Sequence, residues 1–193
     1  RLAIGDEGKV LTVSDADLPA WETAGGGKLE LLDTHTASGT ESTYTFTPAS
    51  SLNLKTDYQQ IIVEFGGRMT ASLALQFVVN GDTSGYVTIK TFNDSGTLSG
   101  SLLTGQTSHQ LADTTIIDAG IQASGYIVLQ LLEDTDGTDG TAIRSFCNAS
   151  DEGCQWTGSR QNTSTSPVTS VQLKTSTSTW TANFYVNTYG VKL

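Results

Sequence analysis

Apolar and polar residues alternate with a period of two along much of this chain. Tyr44 and Phe46 stand between Thr43, Thr45 and Thr47, and Leu73, Leu75, Phe77 and Val79 alternate with Ser72, Ala74 and Gln76. Near the C-terminus Trp180, Ala182, Phe184 and Val186 alternate with Thr181, Asn183, Tyr185 and Asn187. Successive side chains of a strand point to opposite faces, so each pattern predicts a strand with one face in a core and one toward water or a partner. Two runs are almost continuously apolar instead, Ile61-Ile62-Val63 and Tyr126 to Leu132. Such runs predict strands covered on both sides.

Turn formers separate these segments: Gly66-Gly67, Asn80-Gly81-Asp82, Asn93-Asp94-Ser95-Gly96, Asp136-Gly137, Asp139-Gly140, Gly153 and Gly158-Ser159. The spacing predicts about eight to ten strands. A single open sheet of that size would leave a broad apolar face bare, so two packed sheets are expected. The predicted fold is all-β, an antiparallel β-sandwich, with a jelly roll as first topology and an immunoglobulin-like sandwich as second. Alternation does not separate the two.

Gly25-Gly26-Gly27 is the strongest linker signal. It predicts an extended segment over residues 1–28 and one β-domain over 29–193. The segment is short and broken by glycine, yet it carries Leu2, Ile4, Val10, Leu11, Val13, Leu18 and Trp21. Those groups must be buried on something: the following domain, a neighbouring copy, or an assembly. They are the candidate attachment and oligomerisation residues.

Composition narrows the function classes. Only 37% of the 193 residues are hydrophobic and 16% are charged, and Thr, Ser, Gly and Asn make up much of the rest, as in a chain of short strands and turns. The net charge is −10 and the ten Lys and Arg are scattered, which speaks against nucleic acid as a partner. No stretch approaches the roughly 20 apolar residues of a membrane-spanning helix, so no membrane insertion is expected.

Candidate chemistry is sparse. Asp134, Asp136 and Asp139 sit around glycine turns with a rhythm that could offer oxygens to Ca²⁺, although the full calcium-loop pattern is absent and a solvated hairpin explains them as well. No other cofactor is expected. Glu64, Glu133, Asp151 and Glu152 could serve glycoside cleavage only as a spaced pair, and nothing pairs them. Ser108-His109, with Asp113 or Asp118 as an orienting acid, lacks the strained Gly-x-Ser-x-Gly elbow and reads as polar loop. His35 reads as a strand-end residue. Cys147 and Cys154 could be bridged across a hairpin or remain two thiols. Trp156 is either core or a flat platform facing a ligand such as a sugar. The chain is therefore not expected to be an enzyme.

The stretch Leu2-Ala3-Ile4-Gly5-Asp6-Glu7-Gly8-Lys9-Val10-Leu11-Thr12-Val13, followed by Leu18-Pro19-Ala20-Trp21-Glu22-Thr23, resembles the linker peptide of tail-fibre and head-fibre proteins of tailed viruses. Leu75 to Thr83, with Asn80-Gly81-Asp82, is similar to a turn of their jelly rolls. Phe184 to Lys192 is similar to their closing strand, with two further residues before Tyr189. The resemblance implies a structural virion protein, part of a fibre or a capsid-attached decoration, exposed on the outer surface of tail or capsid. It implies a homotrimer with other virion proteins, and host-surface glycans, as further partners. The competing expectation is a carbohydrate-binding or adhesin module of a larger secreted protein.

Overall fold

A computed structural model describes residues 9–13, 19–23, 28–48, 57–71, 74–94, 96–112, 120–132, 140–149, 153–161, 168–176 and 179–192. The side chains of 9–13, 19–23, 94, 131, 132, 140, 160 and 161 lie outside that description. The described elements are all strands: β1 (Lys9–Val13), β2 (Pro19–Thr23), β3 (Leu29–Thr36), β4 (Thr43–Phe46), β5 (Tyr58–Arg68), β6 (Leu75–Val79), β7 (Tyr86–Asp94) and β8 (Thr97–Gln106). They continue with β9 (His109–Ala112), β10 (Gln122–Leu132), β11 (Gly140–Ala149), β12 (Gly153–Gln161), β13 (Val171–Thr175) and β14 (Tyr185–Lys192). β1 and β2 form a two-stranded antiparallel hairpin in which Leu11 pairs with Trp21.

The rest is an antiparallel sandwich. One sheet runs β3-β14-β5-β10-β11-β12-β7-β8 and the other β4-β13-β6-β9. The chain crosses from one sheet to the other at each step from β3 to β6, and again through β9 and β10 and through β13 and β14. The hairpins β7–β8 and β11–β12 both add to the β10 side of the larger sheet, which makes it twice as wide as its partner.

Alternation chooses the inner face. Ile61, Val63 and Phe65 of β5, Ile127 and Leu129 of β10, and Val186 of β14 are fully buried or nearly so. They meet Tyr44 and Phe46 of β4, Leu75, Phe77 and Val79 of β6, and Val171 and Leu173 of β13. Each such large apolar side chain contributes roughly 1.5–3 kcal/mol on burial. Trp180 stacks on Phe184 with ring centroids 4.8 Å apart and closes one end of this core.

Several expectations need correction. The domain over 29–193 has twelve described strands rather than eight to ten, because β8 and polar β12 carry little apolar alternation. Gly66-Gly67 lies inside β5 and Gly158-Ser159 inside β12, so neither pair is a turn. A Cβ at Gly66 would stand 2.7 Å from the Tyr185 ring, which would have to move aside. Gly67 has φ +146° and its Cβ would meet Phe184 Cα at 2.6 Å. The segment from Trp180 to Phe184 is irregular, with Ala182 exposed and Asn183 at φ 74°, and the closing strand begins only at Tyr185. Asn80-Gly81-Asp82 is a turn, with Asn80 and Gly81 at φ 54° and 71° and the Asp82 amide donating to the Val79 carbonyl at 3.0 Å.

Candidate functional site

The strand register of the large sheet aligns its outward side chains in three cross-strand rows. The central row is Thr34, Asn187, Glu64, Tyr126, Phe146, Trp156, Thr91 and Gly100. One flanking row is Leu31, Tyr189, Ile62, Val128, Arg144, Gly158, Ile89 and Leu102. The other is Thr36, Tyr185, Gly66, Ser124, Asn148, Cys154, Asn93 and Leu98. Among the described residues the large exposed hydrophobics are Leu29, Leu31, Ile89, Leu98, Leu102, Tyr126, Trp156 and Tyr185. Every one of them stands on this outer face. Scattered exposed apolar residues are ordinary on a protein surface; a contiguous patch marks an interaction site.

The face is sculpted. Phe146 lies between Tyr126 and Trp156, with ring centroids 6.1 and 5.1 Å away, in the tilted geometry aromatic pairs favour. A groove of about 580 Å³ runs between Leu29, Ile62, Tyr126, Phe146, Tyr185 and Tyr189. Its polar edge is Glu64, which accepts a hydrogen bond from Tyr189 Oη at 3.4 Å, and Ser124. Burial first, and then the Glu64 carboxylate, push the Tyr185 phenol above its ordinary pKa, so it remains a neutral donor. A second hollow of about 460 Å³ lies between Ile89, Tyr126, Arg144 and Trp156, where Gly158 leaves open space.

The continuous runs Ile61-Ile62-Val63 and Tyr126 to Leu132 were expected to be covered on both sides. Ile61, Val63, Ile127 and Leu129 are covered by the smaller sheet, but Ile62 and Val128 are only half-buried on the outer face and Tyr126 is exposed. The chain itself supplies one cover of the two.

The remaining sequence candidates divide. Trp156 is 49% exposed and belongs to the outer face, whereas Trp180 is core. Val10, Leu11 and Val13 stand on β1 and Trp21 on β2; Leu2, Ile4 and Leu18 lie outside the described residues. Asp134, Asp136 and Asp139 also lie outside them, and among the described residues no group of three His, Cys, Asp or Glu could hold a metal ion. Cys147 and Cys154 are free thiols. Cys147 pairs with Gln155 and Cys154 with Asn148, so the offset of one residue sends Cys147 into the core and Cys154 to the outer face.

Ser108-His109 is not loop surface: both residues are buried, with His109 opening β9. His109 Nε2 contacts Ser145 Oγ at 2.8 Å and Nδ1 contacts Ser159 Oγ, which ties β9 across β11 and β12. Burial drives its pKa down to about 3, so the ring is neutral at physiological pH. Gln155 Nε2 donates to the Gln110 carbonyl at 3.2 Å beside it. The pattern gave no sign of this polar node, because polar residues at inward positions look like an edge.

No family model matches the chain, and no curated protein matches it. Among solved structures, a chain of "Structure of infectious bursal disease virus Gx strain" aligns with all of this chain at 13% identity and a TM-score of 0.12. This chain covers 46% of that one, and the likeness at that score carries no argument about fold or function.

Proposed function

We propose that the chain is a structural, non-enzymatic component of a virion, a fibre or a capsid-attached decoration, that assembles as a homotrimer on the particle's outer surface. The observation that carries the reading is the apolar outer face of the eight-stranded sheet, which a free-standing sandwich has no reason to keep. The fibre-like sequence of residues 2–23 supports it, as does the strand order. Stripped of its two added hairpins, the sandwich reads β3-β14-β5-β10 over β4-β13-β6-β9, an arrangement that supports a jelly roll. Rigid sheets with variable loops suit attachment to other virion proteins and adhesion to a host surface.

The experiment is the solution mass of residues 1–193 by light scattering. Three chain masses is the expected result; a single chain mass at every concentration overturns the homotrimer.

A second reading, a carbohydrate-binding or adhesin module, draws on the exposed ring of Trp156 beside Phe146 and on the tyrosines and Glu64 around the groove. It requires a monomer retained on immobilised glycan, with retention lost in Trp156→Ala.

A further inference from the structure

The outer face of the large sheet has a composition that points to one kind of occupant. Of all side chains in its three central rows, Glu64 and Arg144 alone are charged. The chain as a whole carries twenty Asp and Glu against ten Lys and Arg. Two copies at net −10 repel one another over most of their surface, and this face is where they can approach without bringing carboxylates together. Depletion of charge with enrichment of Tyr, Trp and Phe is the composition of a protein–protein interface core. A sugar platform would explain Trp156 and Tyr126, but it would leave Ile89, Leu98 and Leu102 in water at 62%, 71% and 63% exposure.

The size fits as well. Eight strands about 4.8 Å apart span roughly 34 Å, and the rows with their flanks extend about 20 Å along the strands. That plane is on the order of 700 Å²; divided between two neighbours it gives each contact about 350 Å² per partner, and the three contacts of a ring together bury on the order of 2,100 Å². The two halves of the face differ in relief. The β14-β5-β10 half holds the tyrosine-walled groove, and the β7-β8 half presents an aliphatic ridge of Ile89, Leu98 and Leu102.

We propose that a second copy of this chain covers this face, the Ile89–Leu98–Leu102 ridge of one copy seating in the groove between Tyr126, Tyr185 and Tyr189 of the next. The inference rests on the homo-oligomeric reading above and adds to it the surface and the mode. When the ridge of each copy seats in the groove of the next while its own groove takes the ridge of a third, the contact is heterologous, and with a rotation of about 120° per step it closes into a ring of three. In a ring of three, each sheet gives one half to each neighbour. The Glu64 edge of the groove and Arg144 are then brought toward the opposite half of an adjacent copy, where a carboxylate and a guanidinium complement one another.

The test uses the full chain with Ile89→Lys and Leu102→Lys together, beside Thr45→Lys on the outer face of the smaller sheet as control. Light scattering should give the assembled mass for the wild type and the control and a single chain mass for the double variant. Maleimide labelling supplies a second readout, because Cys154 lies on the outer face while Cys147 is fully buried. Cys154 should label at least about 10-fold faster in the dissociated variant than in the assembled wild type, with Cys147 silent in both.

Labelling at both thiols marks a variant that has unfolded. Leu98→Lys, at a more exposed position on the edge strand β8, then repeats the measurement. A folded variant that keeps the assembled mass overturns the inference and leaves the homo-oligomer standing on another surface. A wild type of single chain mass overturns the homo-oligomer itself, and retention of that monomer on glycan would make the face a sugar site.

Discussion

The two outer faces of this sandwich are built by the same alternation and end with opposite chemistry. On the smaller sheet the outward positions are Thr45 and Gln172 in one row and Thr43, Lys174, Gln76 and Gln110 in the next. Gln172 Nε2 donates to Thr45 Oγ1 at 3.3 Å, a polar surface satisfied by itself and by water. Val78 is the exception, and it is buried. On the larger sheet the equivalent positions hold Tyr126, Phe146, Trp156, Ile89 and Leu102. The inner faces of both sheets meet in one apolar core, although edge strand β8 has no buried residue, so the contrast lies in the faces turned outward. On the proposed reading the contrast marks which side of the molecule meets water and which meets a partner.

The two tryptophans give the largest contrast. Trp180 is fully buried against Phe184, and Trp180→Ala should cost about 3–5 kcal/mol of unfolding free energy in urea denaturation. Trp156→Ala on the outer face should change the stability of the dissociated chain by less than about 1 kcal/mol, yet weaken assembly. A large loss of chain stability from Trp156→Ala would place that ring in the core and erase the contrast.

Next in size is the buried histidine. The folded-state pKa of His109, about 3, lies below the ordinary value of 6.5, so the fold favours the neutral ring. Its contribution is complete above pH 6.5 and is lost as pH falls from there toward 3, at up to roughly 1.4 kcal/mol per pH unit. Urea midpoints measured across that window should fall with acid, and His109→Gln should flatten the slope.

Gly67→Ala should destabilise by about 1 kcal/mol or more, because φ +146° and the approach of Phe184 both resist a Cβ. Thermal unfolding measures it. The smallest effect is expected at Thr45→Lys, within about 0.5 kcal/mol of wild type and with unchanged mass, since that face is already polar and exposed.

The inner face was legible in the sequence because alternation reports it directly: Tyr44 and Phe46, and Leu75, Phe77 and Val79, all point inward as expected. The outer face was legible only in fragments. Ile61-Ile62-Val63 and Tyr126 to Leu132 announced a second cover, and Trp156 announced a possible contact. Ile89, Leu98 and Leu102 share the β7–β8 hairpin but are far in the chain from Leu31, Tyr126, Trp156 and Tyr185, and only the register of eight strands places them all on one face. β12 was missed because Gly153 and Gly158-Ser159 look like turns, and the placement of both cysteines depended on that strand. The offset that sends Cys147 and Cys154 to opposite faces is a single residue of hairpin register, which spacing does not encode.

The most direct measurement is hydroxyl-radical footprinting of Trp156, Tyr126 and Tyr185 in the full chain, concentrated and then diluted until it dissociates. Oxidation of these three side chains should be suppressed in the concentrated sample and rise together on dilution, while Tyr44 and Trp180 stay protected throughout. Equal oxidation of the three at both concentrations, in a chain whose mass shows it to be assembled, would contradict the claim that the outer sheet is the contact between copies.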